Sequence, residues 1–423
     1  MKYKDSTIKK GINLHTIKTE KFKTNLIAVF LTTKLTKENV TKNALLLSVL
    51  KRGSKNMKTQ EEISKKLEEM YGASYDCGIE KTGDNHTLKF YMETINDNFL
   101  VENENLLENS MDKMFEIIFN PLIENGSFKE EYVNGEKENI RQLIEGKIDN
   151  KAKYAMDRCI EEMYKDKPYG LYKYGYVEDL EKINAKDLYA YYKELISTCK
   201  IDIFVSGMID DNIENVVLNN ENISNLADRE ASYNIIKVQA ENEEIKPENV
   251  LTESMDVVQG KLVIGLDINL QNDEEKFICI LYNSILGGTA NSKMFQNVRE
   301  KASLAYTASS RYVRPKNNIF IIAGIEIGNY EKALNIIKEQ IDDMKKGNFT
   351  EEDIENAKKA IVSTILSIED EQDTEISYFY GQELTEKKVY IKEYLQKIES
   401  VEKNQIIDIA NRININTIYF LRD

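Results

Sequence analysis

Residues 26–31 are an unbroken apolar run inside the stretch 24–34, and that pattern predicts a buried strand. Residues 41–50 follow as an apolar helix that stops near Gly53. Thr59 and Glu62 form a capping-box pattern that opens a second helix, with Ile63, Leu67 and Met70 on one face. Gly72 is placed to end it. Residues 74–80 and 87–94 read as two strands, joined by a loop at 81–86 that holds His86 in solvent. A helix is predicted over 105–119, stopped by Asn120 and Pro121. A long helical region spans 129–164, with charge on its outer face. Residues 168–175 form a loop, 186–196 a helix, and 200–206 a strand that closes at Gly207.

The second half of the chain repeats this order. Residues 260–266 read as a strand like the one at 26–31. Residues 282–286, followed by Gly288 and Thr289, sit where 46–50, followed by Gly53 and Ser54, sit earlier. Gly126, Phe128, Glu130 and Glu131 recur in register as Gly347, Phe349, Glu351 and Glu352. The helix-then-strand pattern at 186–205 returns at 403–420. A shared pattern flanked by the same elements in the same order predicts an internal repeat. The division expected is a first half at 1–209, an acidic connector at 210–253 with little structure at its centre, and a second half at 254–423. Hairpin-joined strands with this density of helices predict an α+β fold, two homologous halves each with a largely antiparallel sheet and helices packed on one face.

Composition narrows the function. The chain has 423 residues and a formal net charge of −15, which argues against nucleic acid or an anionic membrane as the main partner. Residues 1–23 lack an apolar core, so no secretory signal is expected. The longest apolar run is far short of a membrane span. Cys77, Cys159, Cys199 and Cys279 are scattered without a Cys-x-x-Cys, as in reduced cytoplasmic proteins. No Gly-x-Ser-x-Gly, P-loop, dinucleotide fingerprint or EF-hand spacing is present.

The stretch 287–306 holds the candidate chemistry. Gly287 and Gly288 permit a sharp turn or a close backbone approach. Residues 292–301 have helix-forming character, with Met294, Phe295 and Val298 as the apolar face. Arg299 and Tyr306 stand seven apart, so a helix running that far would project both from one face. Otherwise Arg299 is a solvated charge and Tyr306 an anchor at a strand start. In residue types and spacing this stretch resembles the second-half signature of the insulinase, pitrilysin and mitochondrial processing peptidase family. The segments 167–175 and 182–188 resemble that family's first half, so the likeness covers essentially the whole chain. It implies a clamshell of two sheets facing each other across a chamber. It also implies that Arg299 and Tyr306 bind substrate peptide beside a zinc held by the other half of the fold, with Gly287 and Gly288 giving substrate backbone room to approach.

Active members of that family hold zinc with an inverted His-x-x-Glu-His on a first-half helix and a glutamate on a later helix. The Gly53–Ser54 pair places Ala44, Leu47 and Ser48 where His, Glu and His belong, and the later glutamate falls at about Leu143. Only His15 and His86 exist in the chain, so the motif cannot occur anywhere in it. No metal ligand and no catalytic group is therefore expected in this chain. The resemblance implies a catalytically silent substrate-binding or regulatory subunit of a two-chain zinc metallopeptidase. Its expected partners are a zinc-bearing homologous chain and a peptide or small protein substrate. The alternative is a scaffold or accessory binding protein that keeps the peptidase fold, for example in elongation factor P modification.

Overall fold

A computed structural model of the protein describes residues 2–102, 104–238 and 248–423. In chain order, β1 (Lys2–Lys9), β2 (Ile12–Lys18) and β3 (Thr24–Lys34) lead into helices α1 (Val40–Leu50) and α2 (Gln60–Glu69). Strands β4 (Ser74–Thr82) and β5 (Asn85–Ile95) follow, then α3 (Leu106–Phe119) and the short hairpin β6 (Ile123–Glu124) and β7 (Ser127–Phe128). Helices α4 (Glu130–Glu145), α5 (Lys151–Met163), α6 (Val177–Lys182) and α7 (Ala185–Thr198) precede β8 (Lys200–Gly207). Next come α8 (Ile213–Asn219), α9 (Glu221–Ser224), β9 (Asn249–Ser254), β10 (Gly260–Ile268) and α10 (Glu275–Asn283). Strands β11 (Ala305–Val313) and β12 (Asn318–Ile325), helices α11 (Tyr330–Lys346), α12 (Glu351–Leu366), α13 (Gln372–Glu383), α14 (Ile391–Glu399) and α15 (Lys403–Ala410), and strand β13 (Ile413–Arg422) complete the chain.

The strands form two large mixed sheets, and both follow one path. The first runs β1-β2-β8-β3-β5-β4, the second β11-β12-β10-β13-β9. Read from the other edge, β9-β13-β10-β12-β11 matches β2-β8-β3-β5-β4 strand for strand. In each sheet a single parallel pair, β2 with β8 and β9 with β13, precedes a purely antiparallel remainder. Both sheets are α+β in the expected sense, with hairpin-joined strands and helices following them.

The two compact units do not coincide with the two halves of the sequence. One comprises Met1–Gly146, Leu171–Asn234 and Glu371–Gly381; the other comprises Lys147–Gly170, Ile235–Asp370 and Gln382–Asp423. Each unit thus includes a helix drawn from the opposite half. In the first unit, α13 lies on the sheet face that the unit's own helices leave bare. Its Tyr380 ring packs on Phe30 at 4.2 Å, and its hydroxyl bonds Thr32 and Thr87, both at 2.7 Å. Gln372 donates to the Ser206 carbonyl at 3.0 Å. In the second unit α5 does the same, packing Tyr154, Ala155 and Cys159 against Val263, Phe320 and Tyr419. Gly265 makes this possible, since a Cβ there would stand 2.8 Å from the Met163 sulfur. Glu253 accepts hydrogen bonds from Tyr154 at 2.5 Å, Tyr419 at 2.6 Å and Arg158 at 3.2 Å. Covering both faces is why β3 and β8 read as continuous apolar runs rather than alternating ones.

Several elements depart from the sequence reading. Strands β1 and β2 lie in a region where charge interrupted every apolar pair. The long helical region at 129–164 breaks at Gly146–Ile148, the point where the chain leaves the first unit. The connector carries α8 and α9, and its end is strand β9; its centre, 239–247, lies outside the described residues. The β4–β5 hairpin closes on Gly83 and Asp84, with Gly83 at φ 58°, so His86 belongs to β5 and not to a loop.

Candidate functional site

Helix α1 carries the positions where a zinc motif would stand. Ala44 is 1% exposed and Leu47 6%, and both belong to the apolar core of the first unit. Ser48 is half-buried. A methyl and an isobutyl group in an apolar core offer no lone pair to a metal, so these residues do not fit zinc. Leu143 lies on α4 and is 49% exposed, again with no ligating atom.

The side of α1 next to these positions is closed by a neutral hydrogen-bond network. Asn43, fully buried, donates through its amide to His86 Nδ1 at 3.0 Å and accepts from the Tyr191 hydroxyl at 2.6 Å. With Nδ1 accepting, the ring proton sits on Nε2, which donates to the Lys173 carbonyl at 3.0 Å. Burial disfavours the imidazolium and pushes His86 down to about 3, outweighing the Lys173 carbonyl that favours it. The expectation of a solvent-facing His86 is therefore corrected: the ring is buried and neutral. The Gly83–Asp84 turn signal places it in the strand.

The Gly53–Ser54 pair that follows α1 has a packing reason of its own. A Cβ at Gly53 would stand 2.6 Å from the Lys58 carbonyl oxygen. Ser54 donates to the buried Glu116 at 2.5 Å and accepts from the Met57 amide at 3.1 Å.

The glycine-rich stretch is built differently. After α10 the chain widens into a π-type turn, Ser284–Gly288, and a second wide helix runs Met294–Lys301. Met294 and Val298 are fully buried, while Phe295 is only half-buried. Gly287 is where the first turn meets β11: a Cβ there would stand 2.5 Å from the Ser310 amide nitrogen. Gly288 is exposed, and its Cβ would meet the Asn283 side chain at 3.0 Å.

The helix does not reach Tyr306. It stops at Lys301, and Ser303 turns the chain at φ 51°. Tyr306 then falls in edge strand β11, at a bulge: Ala305 pairs with Ile325 and Thr307 with Gly324, leaving Tyr306 as the extra residue. The bulge leaves Tyr306 outside the alternating core pattern of the strand, and 65% of it is exposed. Arg299 stacks over the Phe295 ring at 4.5 Å, with Nε 3.6 Å from the Glu300 carboxylate. Its side chain is exposed as well. Arginine and tyrosine side chains exposed in this way can donate hydrogen bonds to a peptide backbone without disturbing the core.

Sequence reasoning missed a second buried polar set in the first unit. His15 Nε2 lies 3.0 Å from Asp202, which also bonds Lys200, and Tyr3 contacts His15 Nδ1 at 2.9 Å. These groups come from β1, β2 and β8, so strand register brings Tyr3 and His15 to the Lys200–Asp202 pair.

Comparison with known proteins agrees with this architecture. A family model described as the Peptidase M16 inactive domain matches residues 182–361. A Bacillus subtilis protein named "Probable inactive metalloprotease YmfF" is 35% identical over 97% of this chain and 96% of its own length. From the same bacterium, "Uncharacterized zinc protease YmxG" is 26% identical over 51% of this chain and 53% of its own length. The crystal structure of a conserved protein from Enterococcus faecalis V583 superposes with a TM-score of 0.89 at 29% identity, covering 99% of this chain and 98% of that one. The chain belongs to the M16 metallopeptidase family, as a member without the zinc-binding residues. Among the described residues, no helix is long and apolar enough to cross a membrane.

Proposed function

We propose that this chain is the substrate-binding or regulatory subunit of a two-chain zinc metallopeptidase, and that a homologous partner supplies the zinc. One contrast carries the reading. Two of the three zinc positions of α1, Ala44 and Leu47, are occupied by core side chains, whereas Arg299 and Tyr306 remain exposed. A chain that had lost all contact with substrate has no need of a bulge that leaves a tyrosine outside its strand's core pattern. Arg299 serves as a hydrogen-bond donor to a substrate carbonyl, and its fork geometry suits that task. Tyr306 donates to the carbonyl where charge develops during cleavage. Gly287 acts indirectly, by letting the wide turn close on β11.

The occurrence of an inactive relative and a zinc-protease relative in one bacterium supports pairing of this kind. The common strand path of the two sheets supports an internal duplication. Free cysteines at 77, 159, 199 and 279 suit a cytoplasmic setting. The test is purification of the chain from its native cell, identification of bound proteins and metal analysis. The expected result is a co-purifying homologue with an intact His-x-x-Glu-His and zinc in that chain. Recovery of the chain with no such homologue leaves a scaffold instead.

A further inference from the structure

Every other arginine of the chain meets a carboxylate, a carbonyl or an aromatic ring. Arg311, exposed on β11, meets none among the described residues, although the chain carries a formal net charge of −15. We propose that Arg311 selects an acidic side chain in a peptide held extended along β11. The inference rests on the reading of Arg299 and Tyr306 as substrate-binding residues, and it names the class of peptide they grip.

The strand supplies the geometry. β11 is the last strand of its sheet, and among the described residues no strand pairs with its outer side. An edge of this kind offers free backbone donors and acceptors to an extended peptide. Tyr306 stands at the bulge that opens the strand. Beyond the bulge the residues alternate: Ala308 and Ser310 are buried, whereas Thr307, Ser309 and Arg311 are exposed on the opposite face. Register continues that face inward. Thr307 stands in a row with Gly324 and Lys261, Ser309 with Ile322 and Val263, and Arg311 with Phe320 and Gly265. These rows hold two cations and no carboxylate. Lys261 bonds the neutral Gln259, and Asp267, one row further on, is already taken by Asn318 and Asn416. Helix α5 packs on Val263 and Phe320 but leaves Ser309 and Arg311 exposed. This corner of an acidic chain therefore repels a cationic side chain and attracts an anionic one. A guanidinium takes a carboxylate through two parallel hydrogen bonds. Thr307 and Arg311 lie about 13 Å apart along the strand, so the acidic residue stands about four residues from the one beside the bulge.

Titration calorimetry of the full chain tests it, with blocked Ser/Thr peptides that each carry one Asp at a different position, and with the matching Asn peptides. At one position Asp should bind about threefold to fivefold more tightly than Asn, the gain of one exposed ion pair, and added salt should shrink that gain. Arg311→Gln should bring the Asp and Asn peptides to the same affinity, and Arg311→Lys should keep part of the difference. Tyr306→Phe should weaken both peptides and preserve their ratio. In the unsubstituted chain, amide shifts on adding the preferred peptide should centre on 306–311, a readout that needs no variant to fold. Peptide binding with no Asp preference at any position overturns the proposal while leaving the grip of Arg299 and Tyr306 in place. A preference that survives Arg311→Gln does the same. Absence of binding by every peptide overturns both.

Discussion

The segment that follows the first inner strand differs between the two sheets, although the strand path is shared. After β3, α1 is a regular helix whose Val40, Leu45, Leu46 and Leu50 are all fully buried, and even its polar Asn43 is consumed by His86 and Tyr191. After β10, α10 gives way to two wide helical turns with glycines, an unpaired serine and exposed polar side chains. One topology thus supports a closed, core-like face in one sheet and an open, polar one in the other. The lesson is that loss of a metal site need not leave a hollow. Ala44 and Leu47 are absorbed into packing, whereas Ser48 is half-buried and Leu143 is exposed.

The sharpest way to break this comparison is to force the closed face open. Replacing Ala44, Leu47 and Ser48 together with His, Glu and His would put an imidazole and a carboxylate among core side chains. Burying an uncompensated charge costs on the order of 3–5 kcal/mol. The triple variant should therefore unfold at much lower denaturant concentration and take up no stoichiometric zinc. A stable variant that binds zinc would show that the first sheet had kept its site.

Gly287→Ala probes the open side. Its Cβ would meet backbone at Ser310, which a rotamer change cannot relieve. Overpacking of this kind costs about 1–3 kcal/mol. Gly288→Ala meets the Asn283 side chain at 3.0 Å and its carbonyl oxygen at 3.1 Å, both well beyond the 2.5 Å approach at Gly287, and should cost less. Equal effects in thermal unfolding would contradict the account of the β11 contact.

His86 gives the comparison a pH signature. Its folded value near 3 lies below the ordinary 6.5, so the unfolded chain takes up a proton that the folded chain refuses. The stabilising contribution is complete above pH 6.5 and is lost as pH falls toward 3. The loss runs at ~1.4 kcal/mol per pH unit, or about 2 kcal/mol between pH 6.5 and 5, before most carboxylates titrate. The stability gap between the natural chain and His86→Gln should narrow over that interval. A constant gap would show that the ring is not held neutral.

Much of this was legible in the sequence for identifiable reasons. Strands covered on both faces, such as β3 and β8, advertise themselves as apolar runs, and Thr59 accepts from the Glu62 amide at 3.1 Å, while the Glu62 carboxylate takes the Lys58 amide rather than closing a full capping box. Strands β1 and β2 were hidden because charges such as Lys4, Asp5 and Lys9 interrupt their apolar positions. The helix exchange was not legible at all, since α5 and α13 have the composition of any amphipathic helix and only the fold decides which sheet they cover. Arg299 and Tyr306 were found by motif, but their exposure by different means was not. A seven-residue spacing suggested one helix face, and the structure uses a helix for one residue and a strand bulge for the other.

The central claim is that the open side of this chain grips substrate for a zinc-bearing partner. Arg299→Ala and Tyr306→Phe are surface changes and should alter stability by no more than about 0.5 kcal/mol. The decisive measurement is kcat/KM for peptide cleavage by the reconstituted pair carrying each substitution. The account predicts a fall of about a hundredfold, the cost of a lost hydrogen bond to developing charge, with pairing and folding intact. Cleavage unchanged by both substitutions would contradict it.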